Sequence, residues 1–302
     1  MAFRVRVPSG YDLLSSIHSW IYPDIQPVPE QTGDRYFGRA HLINDERLVL
    51  LIQQTNPGAD LQINHSETSI SRKYLRALVN RTLGLDISFD EALNHMANDD
   101  AISHLVPGVV GVRPYMSPTP FEALMKTIIQ QQISYRAANI FTKRMVIGLT
   151  KPISHQGQLW YSFPDAKTIT GKGSKGLKEY GFGYKSEYIH GVASLVADGS
   201  LELDSLVGSS YERVVERLRP IRGIGEWTVK VLSLAGLGDF SVFAYDDLVI
   251  QKILGRIYND DKRMTAKEVQ EKSADWGNAG TKVLYLLMSA EVLGLLNSSE
   301  KS

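Results

Sequence analysis

Two features of the sequence combine residue types with a spacing that chemistry can use. Residues 242–247 read VFAYDD and stand directly before an amphipathic run, so two adjacent carboxylates meet the start of a helix. The commoner role of an aspartate at that place is an N-cap, which accepts the unpaired N–H groups of the first turn. The helix dipole also helps such a carboxylate stay ionised against desolvation, which keeps the pair Asp246 and Asp247 a candidate for charge chemistry. Twenty-two residues earlier, in LRPIRGIGEWTVKVL, Gly223 and Gly225 flank Ile224 where one helix ends and another begins. Glycine reaches backbone conformations denied to other residues and lets a second backbone come close, while Ile224 is expected to tuck between the helices. The helix that follows opens with unpaired N–H groups that attract a phosphate. Gly223, Ile224, Gly225 and Thr228 are therefore candidate anion-binding residues, although Gly-x-Gly alone is more often a plain helix connector. Gln130, Gln131 and Gln132 form a further polar run, which fits a solvated helix end equally well.

Composition narrows the chemistry. The 302 residues contain no cysteine, which excludes disulfides, thiol nucleophiles, cysteine-ligated zinc and cysteine-ligated iron–sulfur clusters. Lys plus Arg and Asp plus Glu are 33 each, so any nucleic-acid binding has to come from local arrangement rather than bulk positive charge. With 43% hydrophobic and 22% charged residues the chain reads as globular, with two or three domains. No stretch approaches the ~20 apolar residues of a membrane span, and MAFRVRV lacks the apolar run of a signal peptide. An intracellular location is expected.

The elements that must position these groups can be read from periodicity. Residues 3–7, 35–42 and 47–53 alternate as strands do, and 11–20 fits a helix, so the first hundred residues are expected to be α+β. Helices are predicted over 69–83 and 89–96, followed by a connection at 107–120 punctuated by proline and glycine. Beyond it, apolar residues recur at three- and four-residue spacing over 121–147, 211–218, 227–237, 247–258 and 281–295. Residues 168–184 (TITGKGSKGLKEYGFGY) read as the most glycine-rich interruption, and the tail 297–302 is expected to fray. The expectation is a mainly α protein, with a small α+β N-terminal domain over 1–110 and a helical domain over 111–302 whose hairpin lies at about 216–237.

The ordered combination of hairpin, Gly-Ile-Gly-x-Trp-Thr, about one helix and Val-Phe-x-x-Asp-Asp resembles the helix-hairpin-helix (HhH-GPD) DNA glycosylases, and among them the AlkA-type 3-methyladenine DNA glycosylase II enzymes. Residues 121–138 (FEALMKTIIQQQISYRAA) look like that superfamily's wedge-bearing helix and turn. Residues 183–191 (GYKSEYIHG) are similar to its lysine-containing helix start, and 34–40 (DRYFGRA) to the extra N-terminal domain of the AlkA group. The likeness spans essentially the whole chain, most strongly 121–250.

The resemblance implies two helical lobes and a monofunctional N-glycosylase. Such an enzyme excises alkylated purines of the 3-methyladenine or 7-methylguanine type from double-stranded DNA and so starts base excision repair. Asp247 then stabilises an oxocarbenium-like sugar, with Asp246 as cap or support. Gln132 wedges into the space left by a flipped nucleotide, a place usually apolar in the AlkA group and glutamine in other branches. Trp227 stands where bifunctional relatives carry a nucleophilic lysine, and Lys230, almost one turn on, is expected to point elsewhere. Trp227, Tyr245, Tyr285 and Met288 are the implied base pocket. Met288, Val231 and Leu248 fall on positions that are aromatic in the prototype, so a thinner aromatic lining is expected. Backbone carbonyls near Ile221 and Ile224 are implied to hold a Na+ or K+ ion, with no other cofactor, and the protein is expected to act as a monomer in the compartment that holds the DNA. Open alternatives are a glycosylase for oxidised or deaminated bases such as 8-oxoguanine or hypoxanthine, and a non-catalytic hairpin protein that only binds DNA.

Overall fold

Alternating side chains along residues 36–53 build the centre of an antiparallel sheet. In a computed structural model that describes residues 1–296, β3 (Tyr36–Ile43) pairs with β4 (Glu46–Gln53) from Tyr36↔Gln53 to Ile43↔Glu46. The turn residues Asn44 and Asp45 lie at φ 50° and 64°, the left-handed pair that a two-residue hairpin favours. With β1 (Ala2–Val5), β2 (Gln31–Gly33) and β5 (Leu61–His65) the strand order is β1-β5-β4-β3-β2. Leu48, Leu50 and Ile52 share one core with Leu13 and Ile17 of α1 (Leu13–His18) and with Leu75 and Val79 of α2 (Arg72–Thr82). The intervening Val49 and Leu51 meet Trp160 on the other face, from the small hairpin of β6 (Ile153–His155) and β7 (Gln158–Trp160). Strands β2, β6 and β7, three residues each, are too short to show alternation; β5 does alternate over its five residues and was not predicted.

The rest is helical and forms two lobes, each around its own apolar core. One lobe comprises α5 (Pro120–Gln130), α6 (Tyr135–Leu149), α7 (Ala166–Leu177), α8 (Lys185–Ala197), α9 (Tyr211–Leu218) and α10 (Glu226–Leu232). The other joins α3 (Asp90–Ala97) and α4 (Val106–Val109) to α11 (Leu248–Tyr258), α12 (Ala266–Ala274) and α13 (Gly280–Val292). Its core therefore crosses residue 110, with Phe89, Met96 and Val109 packed among Ile250, Val283 and Leu287.

One expectation needs correction in part: of the glycine-rich stretch 168–184, residues 168–177 belong to α7, held by the Asp165 N-cap and kinked where Gly173 takes φ 71°, and the rest connects α7 to α8. The run 121–147 is two helices, separated by the turn at 131–134 that presents Gln132, in keeping with the helix end read at Gln130–Gln132. Residues 297–302 lie outside the described residues. No described helix is long and apolar enough to cross a membrane.

Candidate active site

The backbone around Asp247 fixes its carboxylate. Asp247 is the extended N-cap of α11, and its Oδ1 accepts from the Val249 N–H at 2.8 Å. The indole Nε1 of Trp227 donates to Oδ2 at 3.3 Å, which ties the carboxylate to the hairpin's second helix. A charged acceptor held by two donors has few orientations left. Asp246 is exposed and borders the outer groove beside it.

The hairpin joins α9 to α10 through Ile221, Arg222, Gly223, Ile224 and Gly225. Gly223 has φ 92°, and a Cβ built there would lie 2.3 Å from Cγ of Tyr188, so glycine is required by both conformation and space. Gly225 differs from expectation. At φ −95° and ψ 176° its backbone is open to any residue, and a Cβ there meets no atom within 4 Å. What glycine supplies at 225 is a bare approach to the start of α10. Ile224 is buried in the core of its lobe, as is Thr228 beneath the hairpin.

The turn after α5 docks on this hairpin. Gln131 Nε2 donates to the Gly223 carbonyl at 2.8 Å and to Thr228 Oγ1 at 2.9 Å. Lys185, buried at the start of α8, donates to the carbonyls of Ile129 at 2.5 Å and Gln131 at 2.9 Å, closing the end of α5 with positive charge. With its neighbour pinned, Gln132 projects outward at φ 57°, and its Oε1 accepts from the Tyr184 hydroxyl at 2.7 Å. Gln132, Gly225, Asp246 and Asp247 line one groove, with Leu248 and Val249 exposed beside them.

That groove opens into a cavity between the two lobes and the sheet domain. Gln130, Tyr135, Trp227 and Asp247 border both. The cavity measures about 130 Å³, some ten times the space one water needs. Its aromatic lining is richer than expected: Trp20, Tyr115, Tyr135, Trp227, Phe243 and Tyr285 all contribute. The Trp20 indole donates to the Tyr285 hydroxyl, their ring centroids are 5.3 Å apart, and Tyr135 meets Trp20 edge-on at 6.0 Å. Met288 and Val231 also face this space.

Three sequence expectations are corrected here. Tyr245 lies outside the cavity, on a separate hollow with Phe240 and Lys282, and Phe243 takes the wall position instead. Leu248 faces the outer groove. Lys230 does border the cavity, yet its Nζ is paired with Glu226 at 2.8 Å; burial alone would lower its pKa, but the hydrogen bond and charge of Glu226 raise it above the usual lysine value. Trp20, Tyr115, Tyr135, Phe243 and Lys126 are among the cavity residues that sequence reasoning missed. Only Lys126, a charge on the apolar stripe of a helix, left a local signal.

A hairpin docked against a glutamine turn, with a carboxylate between an open groove and an aromatic cavity, defines a mainly helical protein with one groove leading to an enclosed aromatic site. The family described as HhH-GPD superfamily base excision DNA repair protein matches residues 125–279, and the chain belongs to it. It is 29% identical over 167 residues, 55% of each chain, to a DNA-3-methyladenine glycosylase of Bacillus subtilis (strain 168). To DNA-3-methyladenine glycosylase 1 of Schizosaccharomyces pombe it is 30% identical over 170 residues, 54% of this chain and 71% of that one. In several of the curated relatives it matches, the chain spans only about half of their length. The solved structure of a 3-methyladenine DNA glycosylase from Archaeoglobus fulgidus superposes with a TM-score of 0.86 over 97% of this chain and 99% of that one, at 22% identity.

Proposed function

We propose that the protein is a monofunctional DNA N-glycosylase that removes alkylated purines from duplex DNA, with Asp247 as the catalytic carboxylate. The observation that carries this reading is the position of Asp247 at the junction of groove and cavity. A duplex held along the groove by the hairpin places the sugar of an extruded nucleotide at Asp247 and its base among Trp20, Tyr135 and Trp227. The C1′–N bond breaks with its electron pair leaving on the base, and the sugar becomes cationic. Asp247 stabilises that cation; a water adds to C1′ and gives up a proton, so the product is an abasic strand. Gln132 fills the vacated stack. A 3- or 7-methylpurine already carries positive charge, departs neutral and needs no strong general acid, and the aromatic faces favour it by about 0.5–2 kcal/mol per contact.

The gripping needs no bulk positive charge, because free N–H groups at the start of α10 meet the phosphate, with Gly225 leaving room. The Ile221 carbonyl accepts the Ile224 N–H at 3.1 Å and keeps a lone pair, which with the Ile224 carbonyl would hold a monovalent cation at the hairpin. Such an ion would add charge for phosphate binding, and the reading requires no further cofactor. Duplex DNA with a damaged base is the partner, bound by a monomer in the compartment that holds the DNA.

The test is base release from duplexes that each carry one lesion, followed with and without alkali. Release of 3-methyladenine and 7-methylguanine, with strand scission only after alkali, is the expected result. Faster absolute release of hypoxanthine or 8-oxoguanine would overturn the alkylation reading.

A further inference from the structure

One wall of the cavity is neither aromatic nor aliphatic. Lys126, on α5, lines the cavity, and its ammonium lies 2.7 Å from Glu30 Oε1, 2.7 Å from Glu122 Oε1 and 6.0 Å from the centre of the Phe163 ring. Glu30 also accepts from Arg39 Nη1 at 3.0 Å and from the Tyr115 hydroxyl at 2.7 Å, and Arg39 Nη2 meets Glu122 at 2.7 Å. Arg39, Glu30 and Glu122 are almost wholly buried, whereas the side chain of Lys126 keeps 23% of its surface. Lys126 shares this cluster with Arg39 and, with Lys230 and Asp247, brings charge to a cavity otherwise lined mainly by aromatic and aliphatic groups. An ammonium has three N–H donors and no acceptor. One is spent on Glu30, the contact with Glu122 is an ion pair without a hydrogen bond, and donor capacity is left for whatever enters.

We infer that Lys126 is a specificity-determining residue that donates a hydrogen bond to a carbonyl oxygen on the edge of the bound base, so that the cavity favours 6-oxopurines over 6-aminopurines. The inference rests on the proposed function for the identity of the guest. Two carboxylates balance the two cations of the cluster, so Lys126 offers a donor without an uncompensated charge that would repel a methylated, cationic base. An amino group at the same position presents N–H to N–H and leaves the buried donor unpaired, which is the costly arrangement.

The test compares duplexes that carry 7-methylhypoxanthine or 7-methyladenine, which differ only at C6. Each single-turnover rate is divided by the spontaneous loss rate of the same base. The wild-type protein is expected to favour the oxo base, Lys126→Met to reduce that preference roughly ten- to hundredfold, and Lys126→Arg to retain it. A purely structural lysine would lower both rates together and leave the ratio unchanged; that result, with or without a loss of Tm, overturns the inference. A second arm does not depend on catalysis. Hypoxanthine and adenine as free bases are titrated into the wild-type, Asp247→Asn and Asp247→Asn/Lys126→Met proteins, read by quenching of Trp20 and Trp227. Tighter binding of hypoxanthine that disappears only with Lys126→Met supports the inference even if no lesion is excised, an outcome that would sink the glycosylase reading alone. Equal binding of the two bases by wild-type protein overturns it.

Discussion

At the scale of single residues, the carboxylate of Asp247 carries the reading, and its surroundings say what its loss should do. Both oxygens accept, one from Val249 and one from the Trp227 indole. Asp247→Asn keeps the size but removes the charge and turns one acceptor into a donor facing an N–H. Excision is expected to fall by roughly 10²–10³-fold or more, as when an electrostatic group aimed at a transition state is removed, while duplex binding survives. Near-normal single-turnover rates in the variant would mean that Asp247 is only a helix cap. Lys230 yields a second prediction. Its ammonium is held by Glu226 and its pKa is raised, so it is a poor nucleophile despite bordering the cavity. Borohydride should trap no protein–DNA adduct; efficient trapping that Lys230→Met abolishes would place the protein among the bifunctional enzymes. Asp247, Trp227 and the hairpin were legible in the sequence because they lie within one short stretch whose local geometry is fixed by two helix ends. Trp20 was not, because its partner Tyr285 is 265 residues away and only tertiary packing brings them together. Tyr245 was misplaced for a related reason: being next to the aspartate pair says nothing about which side of the chain its ring takes.

At the scale of elements, the two hairpin glycines have different duties that mutation can separate. Gly223→Ala should cost about 1–2 kcal/mol from its backbone conformation alone, and it also drives a methyl group into Tyr188. Both Tm and duplex binding are expected to fall. Gly225→Ala meets open space at an ordinary φ, so its Tm should match wild type while affinity drops for damaged and undamaged duplexes alike, because phosphate contacts position without reading sequence. Thermal melts together with fluorescence-anisotropy binding decide the matter; equal losses of Tm in the two variants would contradict the geometry. The amphipathic helices were legible from their periodicity. Glycine content misled at α7, where an N-cap and packing of Ile169 and Leu177 outweigh weak propensity. The break at 131–134 was legible from the polar run Gln130–Gln132, and Ser134 caps the helix that resumes after it.

At the scale of the whole molecule, the sheet domain is joined to the helical lobe that bears the wedge through buried charge, and this link sets a prediction for acid stability. Burial would raise the pKa of Glu30, but Lys126 and Arg39 pull it down to about 2, from an ordinary value of 4.5. A carboxylate depressed in the folded state contributes stability that is fully present above its unfolded value and is lost as pH falls through the folded one. The contribution of Glu30 should therefore be constant above about pH 4.5 and fade between there and about pH 2. Glu30→Gln removes the charge at every pH and leaves Arg39 and Lys126 less well paired, which typically costs roughly 3–5 kcal/mol. The variant should be markedly less stable than wild type at neutral pH, and the gap should narrow steadily below pH 4.5 as wild-type Glu30 gains its proton. Circular dichroism melts of the two proteins from pH 2.5 to 7 measure this directly. Parallel curves over that range would mean that Glu30 is not the titrating link. Because Trp20 and Tyr115 reach the cavity from outside the lobe that carries the hairpin, loosening this junction should also open the cavity, so the neutral-pH variant is expected to lose affinity for the free base together with its stability.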